Sequence, residues 1–163
     1  MIKINQKAAK TAKAVVRDNT HGYDNRPGHR LGNPDFACSS FVAYCYRRAG
    51  VPVPINSYTQ CMKKVWKEYG FKDVSRNGKV NLRTGEGLHI GDVVVAPGKH
   101  TAIVVPSKEG KKLAEAVGNP RGGPANGAPG DQTGREIRVR SWYDDGWSQC
   151  LRYIEDKPEI EED

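Results

Sequence analysis

Cys38 and His100 are the two side chains in this sequence whose types and settings best suit them to chemistry. Cysteine attacks a carbonyl carbon as the thiolate, so a nucleophilic site must favour the anion. The first turn of a helix does this through its dipole and its free N–H groups, which can also hold the oxyanion of a tetrahedral intermediate. The pattern around Cys38 predicts such an address. Phe41, Val42, Cys45 and Ala49 recur at helical spacing, and Gly50 follows as a stop. Ala37, Ser39 and Ser40 are small and leave the approach to the sulfur open. A plainer reading treats Cys38 as a small buried hydrophobe.

The partner base is sought among four histidines. His100 follows Pro97-Gly98-Lys99 and opens a strand pattern, His100–Val105, in which it shares a face with Ala102 and Val104. A histidine at a strand mouth can reach a neighbouring helix start. His89 precedes Ile90-Gly91-Asp92 without such a pattern, and His21 and His29 sit in a polar loop that either lines a cleft or is simply solvated. A catalytic imidazole also needs an acceptor that fixes its tautomer. Glu115, within Leu113-Ala114-Glu115-Ala116-Val117, is the candidate. Burying a carboxylate alone is costly, so this one needs a partner unless its face of the strand is exposed.

The elements that must position these groups follow from periodicity. Residues 4–17 predict an amphipathic helix with Ile4, Ala8, Ala12, Val15 and Val16 in one stripe and lysines opposite. Residues 18–36 read as loop, and Cys38–Ala49 as the second helix. Ser57-Tyr58-Thr59-Gln60 is a capping-box pattern that predicts a third helix through about Tyr69. Strands are expected at Asp92–Ala96, His100–Val105, Leu113–Val117, Glu136–Arg140 and Cys150–Ile154. Residues 118–134 form a long glycine-rich loop without the GK[ST] ending of a phosphate-binding loop. Helices first and a meander of strands after them is an α+β layout with an antiparallel sheet.

Composition bounds the rest. At 163 residues, residues 1–154 are expected to form one domain, with 155–163 as a solvated acidic tail. The longest apolar runs, Val93–Ala96 and Ala102–Val105, suit buried strands and are too short for a membrane span. Residues 1–20 lack the continuous apolar run of a secretion signal, so synthesis in a reducing cytosol and free thiols are expected. Cys45, Cys61 and Cys150 read as core residues; no CxxC spacing suggests a metal, and no cofactor is expected. The formal charge is +7; the tail's six acids and one lysine contribute −5, which leaves +12 on the remainder. So basic a body favours polyanions, whether nucleic acid, an anionic membrane surface or an anionic wall.

The order of these segments resembles the NlpC-type, papain-like peptidoglycan hydrolases, with CHAP amidases as relatives, and most of all bacteriophage endolysin amidase and endopeptidase domains. The segments are THGYDNR, NPDFACSSFVAYCYRRAGVPV, GLHIGDVVV, KHTAIVV, EAVGN, GDQTGREIRVRSWY and CLRY, over roughly residues 20 to 154. The resemblance implies N-terminal helices packed on a central antiparallel sheet of five to six strands. It implies Cys38 as nucleophile, His100 as general base and Glu115 as the residue that orients it. Tyr23 falls near a tyrosine that lines the substrate cleft, and Ser39 and Asn119 are the other expected substrate contacts. The family usually has Asp immediately before the cysteine, where this chain has Ala37. In some relatives that Asp binds the free amino terminus of a stem peptide.

The implied function is hydrolysis of an amide in peptidoglycan by a monomer that acts on the wall after release or delivery. Anionic wall polymers are possible further partners. Two other readings stay open: a non-catalytic wall-binding module of the same fold, and a basic nucleic-acid-binding domain. The second is supported by charge and by Trp66, Trp142, Tyr143 and Trp147, but no recognised nucleic-acid motif accompanies them.

Overall fold

A computed structural model describes residues 3–17, 37–76, 78–108, 110–116 and 137–154. The first helix, α1 (Ile4–Arg17), buries Ala8, Ala9, Ala12 and Val15. Three alanines let its backbone approach the neighbouring elements closely. Even a β-carbon at Gly91 would come within 2.6 Å of the Asn5 carbonyl oxygen, so glycine is needed there. The second helix, α2 (Cys38–Arg48), starts at the cysteine as its spacing predicts. The third, α3 (Met62–Lys67), is shorter than the capping pattern suggests. Ser57 spends its hydroxyl elsewhere: it donates to the Pro54 carbonyl and accepts from the Trp66 indole. The helix therefore begins after Cys61. That residue is exposed, a correction to its reading as core.

Six strands follow: β1 (Phe71–Asp73), β2 (Val93–Ala96), β3 (His100–Ser107), β4 (Gly110–Ala116), β5 (Ile137–Arg140) and β6 (Gln149–Tyr153). They form one antiparallel sheet in the order β1-β6-β2-β3-β4-β5. The fold is α+β, as the order of elements predicts. β1 is an addition to the predicted set; three residues are too few for alternation to register, and pairing of Phe71 with Tyr153 and of Asp73 with Leu151 creates it.

The two faces of the sheet differ. Val93, Val95, Ile103, Val105, Ala114 and Ile137 pack with α1 and α2 in the larger core. Val94, Ala102, Val104, Leu113 and Cys150 form a second core under Leu88 and Trp147. Asp92 is fully buried beside that second core, and Arg152 satisfies it with paired hydrogen bonds of 2.9 and 2.8 Å. All four cysteines are free. Among the described residues no helix is long and apolar enough to cross a membrane. Tyr23, Asn119, His21, His29, the glycine-rich loop and the acidic tail lie outside the described residues.

Candidate active site

Cys38 is the first residue of α2 and is partly exposed. Ala37 is the N-cap in extended conformation and offers no side-chain cap. The start is held instead by Ser40, whose hydroxyl accepts from the Ala37 N–H at 2.9 Å. Ser39 follows the cysteine and is buried. The alanine therefore places a buried methyl where the resembled family carries a carboxylate.

His100 is placed by a tight turn. Pro97 and Gly98 occupy its central positions, with Gly98 at φ +78°, and the Lys99 N–H returns to the Ala96 carbonyl at 2.9 Å. Proline presets the first central position and glycine tolerates the second. His100 thus opens β3 opposite Ala96. Strand alternation assigns it to the face away from α2, with Ala102 and Val104. Yet it stands at the very end of the sheet, and there the Cys38 side chain is near enough to strengthen its hold on a proton.

Glu115 completes the line. The β3–β4 register, with Ile103 opposite Ala114, brings it diagonally across from His100. It is fully buried, which excludes the exposed-face alternative. The His100 Nε2–H donates to its Oε1 at 2.8 Å, which leaves Nδ1 as the nitrogen available to the thiol. Two further donors reach the carboxylate. Arg138, directly opposite on β5, donates from Nε to Oε2 at 2.9 Å, and the Tyr143 hydroxyl donates to Oε1 at 2.6 Å.

These contacts set the charges. Burial pulls the His100 pKa down, but the Cys38 side chain and the hydrogen-bonded, charged Glu115 outweigh it, and the value is pushed up to about 9. Burial likewise raises the Glu115 carboxyl, but hydrogen bonds from His100 and Tyr143, the His100 charge and Arg138 bring it below its ordinary value. Burial, followed by donation to Glu115, raises the Tyr143 phenol, so it stays a donor. The arrangement favours imidazolium beside carboxylate across neutral pH.

The same linkage acts on stability. His100 binds its proton more tightly in the folded state, so its contribution is complete below about 6.5 and is lost as pH rises through about 9. Glu115 contributes above its ordinary 4.5 and loses that contribution as pH falls below it. For this pair the thermal midpoint is expected to be highest between these values and to decline from pH 7 to 9.5. In Glu115→Gln the alkaline decline should be smaller and end at a lower pH, because the folded-state value falls while the unfolded one is unchanged; a melting profile flat from pH 6 to 10 in the parent would refute the assignment.

The segment 141–148 covers the pair. Trp147 lies over His100 with ring centroids 5.7 Å apart and planes tilted 31°. Its indole donates to the Tyr143 carbonyl at 2.8 Å, and the Arg140 guanidinium sits 3.7 Å from the Tyr143 ring centre. Lys99 pairs with Asp145 at 3.0 Å, tying the segment to the turn that presents His100. Arg138, Tyr143 and Trp147 were not anticipated as site residues. The signal for them was the need of a buried carboxylate for donors, but nothing local says which residues supply them. Among the described residues no group of three or more His, Cys, Asp or Glu could hold a metal ion.

The fold and this line of groups define an α+β protein with a Cys–His–Glu arrangement at the end of its sheet. Residues 113–160 match the model of the family described as Endolysin-like domain, and in this stretch the chain has an endolysin-like relationship. The match begins within β4 at residue 113 and takes in β5 and β6, and so includes Glu115, Arg138, Tyr143 and Trp147, but neither Cys38 nor His100. No curated protein and no solved structure matches the chain.

Proposed function

We propose that this chain hydrolyses an amide bond of peptidoglycan with Cys38 as nucleophile, in the manner of NlpC-type, papain-like enzymes, and that residues 1–154 form its single catalytic domain. The observation that carries the reading is the His100 ring hydrogen-bonded to a fully buried Glu115 and acted on by the Cys38 side chain at the first position of α2. The endolysin-like match supports the wall as the place of action.

In this mechanism the Cys38 thiolate attacks the amide carbonyl carbon and a C–S bond forms. The Cys38 N–H, which at the first helical position has no carbonyl a turn behind it within the helix, is the nearest donor for the oxyanion. The C–N bond breaks as His100 gives its proton to the leaving nitrogen. His100, now neutral, takes a proton from water, whose oxygen attacks the thioester; the acid leaves and the thiolate and imidazolium return. Glu115 stays ionised throughout and holds the ring. His100 supplies its proton only while it has one, so kcat/KM on a soluble muropeptide is expected to fall above about pH 9.

Mass spectrometry of wall fragments after digestion tests the reading and names the bond. The expected products carry one new amine and one new carboxyl per cut, either between the lactyl group and L-Ala or within the stem or cross-bridge peptide. New reducing sugar ends without new amines, or unchanged walls, would overturn it.

A further inference from the structure

Away from the Cys38–His100 pair, α1 carries a second pattern. Lys3, Gln6, Lys10, Lys13 and Arg17 follow at alternating steps of three and four, which places them along one face of the helix. This stripe does not stand on an open convex surface. It forms one wall of two adjoining hollows of about 680 and 420 Å³, which share Gln6 and Ile90. The opposite wall includes His89, Pro106 and Lys111. Among the described residues no acidic side chain lines either hollow and no carboxylate pairs with Lys3, Lys10, Lys13, Arg17 or Lys111, and α1 itself has no acid. Arg152 is already neutralised by Asp92. Lys13 is fixed by donation to the Pro106 carbonyl at 3.0 Å.

Like charges three and four residues apart weaken a helix, and no described carboxylate on this face offsets them. A solvated helix face usually mixes signs; this one does not. Cations in a row attract a linear polyanion, and successive steps along the stripe advance about 5 Å. Single-stranded nucleic acid needs aromatic platforms for its bases. Among the described residues Tyr153 is the one aromatic side chain that lines these hollows. We infer that this groove binds a phosphodiester polymer without bases, of the poly(glycerol phosphate) type, and so holds the chain on an anionic wall. The source of the polymer rests on the wall reading above; the charge pattern does not.

The test measures binding of the full chain to purified poly(glycerol phosphate) by calorimetry across a salt series, in a Cys38→Ala background. Lys10→Gln, Lys13→Gln and Arg17→Gln together are expected to weaken binding at least about tenfold at about 0.15 M salt. They should also flatten the slope of log K against log salt by about 2, at roughly 0.7 per phosphate contact. Removing three charges elsewhere, with Lys64→Gln, Lys67→Gln and Lys72→Gln, is expected to weaken binding less than about twofold, since screening confines each charge to a Debye length of about 8 Å at 0.15 M salt. Equal weakening by the two sets overturns the groove, because net charge alone would then act. Tighter binding of a single-stranded oligonucleotide than of the polymer overturns the choice of ligand. If the triple variant does not fold, Lys10→Gln and Arg17→Gln singly, both at exposed positions, carry the same test, and unchanged affinity in both overturns the proposal. Cleavage of a small soluble muropeptide, with Cys38 intact, is read separately. The groove variants should cleave it at the parent rate. Loss in the parent itself would overturn the hydrolase reading and leave the binding result standing.

Discussion

Cys38→Ala is expected to abolish wall lysis while the protein stays folded. One small side chain replaces another at the first position of α2, where alanine is well tolerated. The loss should exceed about a hundredfold, a cautious figure beside the ~10⁶ that removal of a nucleophile costs a serine protease. Lysis above about 1% of the parent would take Cys38 out of the mechanism. A second readout does not depend on activity. The variant removes one of the two groups that hold the His100 proton against burial, so His100 should titrate below about 9 when followed by NMR. The thiols give a third. Iodoacetamide should modify Cys38 and the exposed Cys61 in the native protein and spare Cys45 and Cys150, which are buried and whose thiols burial pushes up. Protection of Cys38 equal to that of Cys45 would return it to the role of a buried hydrophobe.

His100→Ala should cost about 10²–10⁴ in kcat/KM, the usual reach of a positioned acid–base group. Glu115→Gln should cost less. Glu115 accepts three donors on two oxygens, His100 and Tyr143 on Oε1 and Arg138 on Oε2. A glutamine oxygen placed at Oε1 keeps the first two. Its NH₂ then faces the Arg138 Nε–H, two donors together, so the variant loses stability at that edge as well as the charge that holds the imidazolium. The expected signature is a moderate fall in kcat, an alkaline limb moved below pH 9 and a lowered thermal midpoint. Equal losses in the two variants would mean that the carboxylate charge, and not proton transfer by His100, carries the rate. Tyr143 is a positioning residue in this scheme, since it touches Glu115 and not the reacting atoms.

Much of the frame was legible in the chain itself because its signals are local. The alanine and valine stripe of α1, the helical spacing from Cys38 to Ala49 and the apolar run at Val93–Ala96 each state a period that an element must obey. Pro97-Gly98 specifies a turn, and the turn makes His100 the first residue of its strand. Glu115 in an apolar strand announces a buried partner before any contact is known. Those residues therefore pointed to the α+β class and to the Cys38, His100 and Glu115 candidates. What waited for the tertiary structure is what depends on pairing between distant segments. β1 exists because β6 comes to lie beside it, and β6 enters between β1 and β2, an order no local period records. Arg138 and Tyr143 reach Glu115 from 23 and 28 residues away, through a register that only the assembled sheet sets. Alternation by itself puts His100 on the face opposite α2; its place as the first residue of β3, at the end of the sheet, leaves it open to the influence of Cys38.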